Sequence, residues 1–104
     1  MKVMITVFTD YDAPNTDGTS LKGYVNATYE ELVGLLGFPT FNEPSGDDKV
    51  QVEWVVEFED EIFTIYDWKT NSRYYTENVL ERFHIGGKSY SGRLESFINQ
   101  ELGN

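Results

Sequence analysis

Cysteine is absent from these 104 residues, which removes disulfides, thiolate metal centres and thiol nucleophiles together. Histidine occurs once, as His84, so any serine-histidine-carboxylate arrangement would have to be built on that one ring. It stands in Phe83-His84-Ile85-Gly86-Gly87, where strand alternation sets it opposite two apolar neighbours. That reads as a structural, half-exposed histidine rather than a catalytic one. Long apolar runs are missing as well. The opening MKVMITVFTDYD reaches an acidic loop by Asp10, with no apolar stretch long enough for a signal peptide and no small-residue cleavage site. No segment approaches the roughly 20 apolar residues that span a bilayer. The expectation is a soluble, cytoplasmic protein. Bases are scarce too: eight Lys and Arg face eighteen Asp and Glu, for a net charge of −10. A surface so negative repels nucleic-acid phosphates and anionic lipid headgroups, which argues against direct nucleic-acid or membrane binding. Basic or metallic partners are favoured.

What is present suffices for a core. With 39% hydrophobic and 15% aromatic residues, the chain can fold as a single compact domain over residues 1–104. Residues 2–8 read as a strand and residues 9–20 as a loop of Asp, Asn, Gly and Pro. Thr28 and Glu31 have the spacing of a capping box, Leu32, Leu35 and Leu36 form an apolar stripe, and Gly37 stops the first helix. Residues 49–68 read as two long strands joined tightly around residues 59–61. On the first of them Val50, Val52, Trp54, Val56 and Phe58 share a core face, and Gln51, Glu53, Val55, Glu57 and Glu59 share the other. The second, residues 62–68, is apolar on both sides, as a central strand covered by a helix would be. Residues 70–78 loop out, residues 82–85 form a short further strand, and Gly86-Gly87 makes a turn. Leu94, Phe97, Ile98 and Leu102 then form a C-terminal amphipathic helix closed by Gly103. The fold class expected is α+β: an antiparallel sheet of three to four strands, with a central long hairpin, packed against two helices.

The negative charge is unevenly placed. Residues 1–68 hold fourteen acids and three bases, whereas residues 69–104 hold four acids and five bases. Same-face residues of a strand repeat at about 6.7 Å, so Glu53, Glu57 and Glu59, continued by Asp60 and Glu61 at the hairpin tip, would make a fixed negative ridge. Such a ridge could engage a basic groove much as a nucleic-acid backbone does. The plainer reading is a solvated sheet face that happens to be acidic. Tyr66 and Trp68 share a strand face and are candidate aromatic anchors, and Tyr74, Tyr75 and Tyr90 fall in turns, where exposed rings often mark interfaces.

Other chemistry is thin. Asp10, Asp12, Asn15 and Asp17 cluster in one loop, but Pro14 and Asn15 break the calcium-loop alternation and no closing Glu follows, so turn formation explains them and no metal is expected. No cofactor motif is present either. Gly86-Gly87-Lys88-Ser89 resembles the end of a phosphate-binding loop, yet the opening glycine would have to be residue 82, which is Arg82. Two glycines followed by Lys88, Ser89 and Arg93 at a helix start could still offer N–H groups and positive charge to an anion. A plain glycine turn is the competing explanation.

Five segments, Thr28-Tyr29-Glu30-Glu31-Leu32, Leu36-Gly37-Phe38-Pro39-Thr40, Asp48-Lys49-Val50-Gln51-Val52-Glu53-Trp54, Thr64-Ile65-Tyr66-Asp67-Trp68-Lys69 and His84-Ile85-Gly86-Gly87, span most of the domain. Together they resemble a largely uncharacterised family of small acidic proteins encoded by bacteriophages. The resemblance carries no catalytic residue over. It implies a phage protein made in the host cytoplasm, where such proteins often block restriction, CRISPR or other defence machinery. The function expected is therefore non-enzymatic inhibition of a basic, nucleic-acid-binding host protein through the acidic ridge. Two alternatives stand beside it: a binder of a signalling nucleotide using Gly86 to Ser91 and nearby arginines, and a phage structural or assembly component.

Overall fold

The structure, a computed structural model, describes residues 5–16, 18–41, 52–67 and 80–103, with the side chain of Glu81 left aside. Its elements run β1 (Ile5–Val7), β2 (Ser20–Ala27), α1 (Tyr29–Leu36), β3 (Glu53–Phe58), β4 (Glu61–Tyr66), β5 (Glu81–Gly87) and α2 (Gly92–Glu101). The five strands form one sheet in the order β1-β3-β4-β5-β2, every neighbouring pair antiparallel. The α+β expectation holds, with one strand more than the three to four read from the sequence.

The additional strand is β2, of which only the first residue fell in an expected element, a loop. Its helix-facing residues are Gly23, Val25 and Ala27, opposite Ile85, Phe83 and Glu81. Two of the three, Gly23 and Ala27, are small, so the alternation that marks a half-buried strand is muted, even though burial alternates strictly from Tyr24 to Ala27. A register shift between Leu21 and Gly23 then turns Leu21 outward, as a bulge does. A second correction concerns Gly86 and Gly87, which lie in β5 and not in a turn. They pair with Thr64 and Phe63 of β4 on one side and with Leu21 and Ser20 of β2 on the other. A Cβ at Gly86 would come within 2.7 Å of Thr64 Oγ1, and one at Gly87 within 2.8 Å of Phe63 Cδ1. The glycines are there because neighbouring side chains lie over the backbone.

Both helices cover one face. Leu32 and Leu36 of α1 and Leu94 and Ile98 of α2 join Val25, Ala27, Val52, Trp54, Val56, Phe58, Phe63, Ile65, Phe83 and Ile85 in a single core. The core face read for β3 is met at Val52, Trp54, Val56 and Phe58, which are all buried, whereas on the other face Val55 is buried too and Glu59 falls in the turn; Val50 and Gln51 lie outside the described residues. Strand β4 is central, and Phe63, Thr64 and Ile65 are buried on successive positions. Helix α1 starts where the capping box places it: Glu31 N–H donates to Thr28 Oγ1 at 3.0 Å, and Thr28 N–H to Glu31 Oε1 at 2.9 Å. Gly37 ends it with φ 87°, and Gly103 follows α2 with φ 80°. Residues 70–78 lie outside the described residues.

The opposite face of the sheet carries no helix among the described elements. Cross-strand partners in an antiparallel sheet point to the same side, so register places Glu53, Tyr66, His84 and Tyr24 in one row across β3, β4, β5 and β2. Phe41 extends that row, because it pairs with Glu53 in an isolated bridge closed by two backbone hydrogen bonds of 2.9 Å.

Candidate binding surface

The five carboxylates expected to form one ridge divide between three positions. Phe58 pairs directly with Glu61, leaving Glu59 and Asp60 as a two-residue turn with φ of 52° and 65°. Positive φ at both residues is the requirement of the tight hairpin turns that match strand twist. The chain rotates through that turn, so alternation does not continue past Phe58. Glu53 and Glu57 remain on the helix-free face, separated by Val55, which is buried. Glu61 shares the helix-covered side with Phe58. Asp60 stands exposed at the tip. Asp67, part of the same acidic stretch, is buried and accepts the Val52 N–H at 3.1 Å, so it adds no surface charge.

Glu59 is held from across the fold. Arg93, in the first turn of α2, donates Nε–H to Glu59 Oε1 at 2.6 Å and Nη2–H to Oε2. This forked pairing fixes the tip relative to the helix. The Arg93 hydrogen bonds hold the Glu59 carboxyl below its usual range and raise Arg93 in turn. Glu59, Glu61, Ser89, Tyr90 and Arg93 line an open depression of about 300 Å³. Lys88 faces Asp60 and Glu61 across a second of about 220 Å³. The bases singled out for an anion are thus set among carboxylates. With Gly86 and Gly87 in the strand ladder, Lys88, Ser89 and Arg93 adjoin the acidic tip instead of composing a phosphate loop. Tyr90 is 83% exposed on the same rim.

Sequence reading missed the row on the helix-free face, since strand register alone assembles it. The rings of Tyr24 and His84 meet edge-on with centroids 5.0 Å apart, Tyr66 and His84 are 5.5 Å apart, and the Arg82 guanidinium lies 5.2 Å from the Tyr24 ring centre. Tyr66, half-buried, is among the expected anchors; Trp68 lies outside the described residues, as do Tyr74 and Tyr75. His84 is half-buried, as alternation predicted, and burial followed by the Arg82 charge lowers its pKa, with Asp67 opposing. Burial, then Glu53 and Tyr24, raises Tyr66. Burial alone raises Glu53, and no hydrogen bond or ion pair reaches its carboxylate among the described residues.

That isolation has a measurable effect on stability. The folded chain holds the Glu53 proton more tightly than the unfolded chain, so stability declines as pH rises from the ordinary value of 4.5 through the raised one. Glu53→Gln is therefore expected to unfold at higher urea than the parent at pH 7. The advantage should shrink below about pH 4, where both states are protonated. A lower urea midpoint for Glu53→Gln at pH 7 would contradict it.

In the aspartate loop, Asp12 Oδ1 accepts the Thr9 N–H at 2.8 Å and the Thr9 hydroxyl at 2.6 Å, the turn-forming duty expected there; Asp17 lies outside the described residues. Among the described residues no group of three or more His, Asp or Glu side chains is placed to hold a metal ion, and no helix is long and apolar enough to cross a membrane. Comparison of the chain with family models, curated proteins and solved structures returned no match.

Proposed function

We propose that this protein acts without catalysis, by presenting its acidic β3–β4 hairpin to a basic surface of another protein. The observation that carries the reading is the tip itself. Glu57, Glu59, Asp60 and Glu61 are all exposed around a two-residue turn that Arg93 pins to α2. A backbone turn held in place loses little freedom on binding, and the negative field of the carboxylates around it steers a basic partner into contact. A partner surface that ordinarily binds nucleic acid would meet this tip in place of phosphates. Together with the resemblance to phage proteins, that makes a defence protein of the host cytoplasm the class of target, with obstruction of its nucleic-acid site as the outcome. The nucleotide-binding alternative finds less support, because its two glycines are strand residues and one of its arginines, Arg93, is engaged by Glu59.

Reversing Glu57 and Glu61 to Lys tests this without touching the Glu59–Arg93 pair. Bait protein is used to capture partners from host lysate at low salt, beside the double variant. The expected result is a nucleic-acid-binding protein retained by the parent and reduced at least about tenfold with the variant. Equal recovery on both baits would overturn the proposal.

A further inference from the structure

On the helix-free face, Glu53 lies between two aromatic residues on adjacent chain segments, Phe41 on the outer side and Tyr66 on the inner. Directly opposed residues in a sheet keep their Cβ atoms about 5 Å apart, so the Glu53 side chain leaves the sheet between two aromatic side chains. It is half-buried, yet among the described residues it receives no hydrogen bond and no cation. A carboxylate in that condition is costly to maintain in isolation. Phe41 remains 41% exposed, so the outer end of the row meets solvent beside Glu53. The same face already accommodates one guanidinium, that of Arg82 over the Tyr24 ring, two strands away.

We propose that Phe41, Glu53 and Tyr66 form a receptor for an arginine side chain of the basic partner. The planar guanidinium suits it better than an ammonium: it can pair with the carboxylate through two N–H groups while its faces lie against the flanking rings. The inference rests on the reading of a basic partner and adds to it a defined recognition point, away from the hairpin tip. Glu53 then has a role that its cost to the fold alone does not explain.

The test uses the intact protein with two blocked peptides of equal charge, hexa-arginine and hexa-lysine, and follows backbone amide shifts during titration at low salt. Hexa-arginine is expected to bind at least about threefold more tightly than hexa-lysine, with shifts at Phe41, Glu53 and Tyr66. Glu53→Gln, expected to be as well folded as the parent or better, should weaken hexa-arginine about tenfold and abolish the preference. Tyr66→Leu should also reduce the preference. Reversing Glu57 and Glu61 to Lys should weaken both peptides and leave their ratio unchanged. Equal binding of the two peptides by the parent, or a ratio unaltered by Glu53→Gln, overturns the receptor; if hairpin reversal still weakens both peptides, the acidic-tip reading survives that failure. Absence of binding by either peptide counts against both.

Discussion

Replacing Trp54 with alanine is expected to cost about 3–5 kcal/mol, the range for truncating a fully buried aromatic. The side chain is inaccessible to solvent and sits at the junction of three elements. Its ring lies 6.0 Å from Tyr29 of α1 and 5.9 Å from Phe83 of β5. Its Nε1–H donates to the Gly37 carbonyl at 3.0 Å, tying β3 to the end of α1. Truncation would open a cavity beneath both the helix and the sheet, and would also leave that carbonyl without its indole partner. A domain of this size has about 5–15 kcal/mol in total, so the variant would be marginal at best. Trp54→Phe separates the contributions: it retains most of the ring contact and loses the hydrogen bond, a net effect of about 1 kcal/mol beyond the volume change. Urea unfolding followed by circular dichroism measures both. A loss below about 1 kcal/mol for Trp54→Ala would mean that this residue is not the keystone of the core.

Gly23→Val should cost about 3 kcal/mol, at the upper end for overpacking, and should act on α2 specifically. Gly23 sits on the helix side of β2 opposite Ile85. A Cβ there would meet the Glu95 carboxylate and come within 2.6 Å of Ser91 Oγ. Glu95 is long enough to swing away, but Ser91 is short and fully buried, so relief requires moving the start of the helix. Swinging Glu95 away breaks the 2.8 Å hydrogen bond from the Ser91 hydroxyl to Glu95 Oε2, and moving the helix lifts Leu94 and Ile98 off the core. Gly23→Ala asks less and should cost about 1–2 kcal/mol. Amide hydrogen exchange should show α2 losing protection ahead of β3 and β4 in the valine variant. Uniform loss across the sheet, or none, would contradict the docking role assigned to Gly23.

Legibility in the sequence followed the range of the interactions. Thr28 and Glu31 are three residues apart and satisfy each other, so the cap could be read directly. The core face of β3 was equally clear because Trp54, Val56 and Phe58 are strongly apolar and recur with a period of two, although Val55 is buried on the other face as well. Strand β2 escaped because two of its three core-facing positions, Gly23 and Ala27, are small, and small residues do not announce a buried face. Gly86 and Gly87 suggested a turn locally, whereas the crowding that requires glycine comes from Thr64 and Phe63, more than twenty positions away in the chain. The acidic residues were visible as a group but not in their arrangement. Their division depends on the positive φ of Glu59 and Asp60 and on Arg93, which reaches the tip from a helix 34 positions further on. The Phe41, Glu53, Tyr66, His84 and Tyr24 row is wholly a product of sheet order, since no two of its members are neighbours in sequence.

The acidic tip is tested most directly by the salt dependence of binding. For a partner captured by the parent chain, the dissociation constant would be measured across about 50 to about 300 mM salt, for the parent and for the double reversal of Glu57 and Glu61 to Lys. Exposed charges are screened over about 10 Å at 0.1 M, so the parent's affinity should fall at least about tenfold across that range, while the variant should bind weakly throughout with a shallower slope. An affinity independent of salt, or identical slopes for the two proteins, would contradict the account.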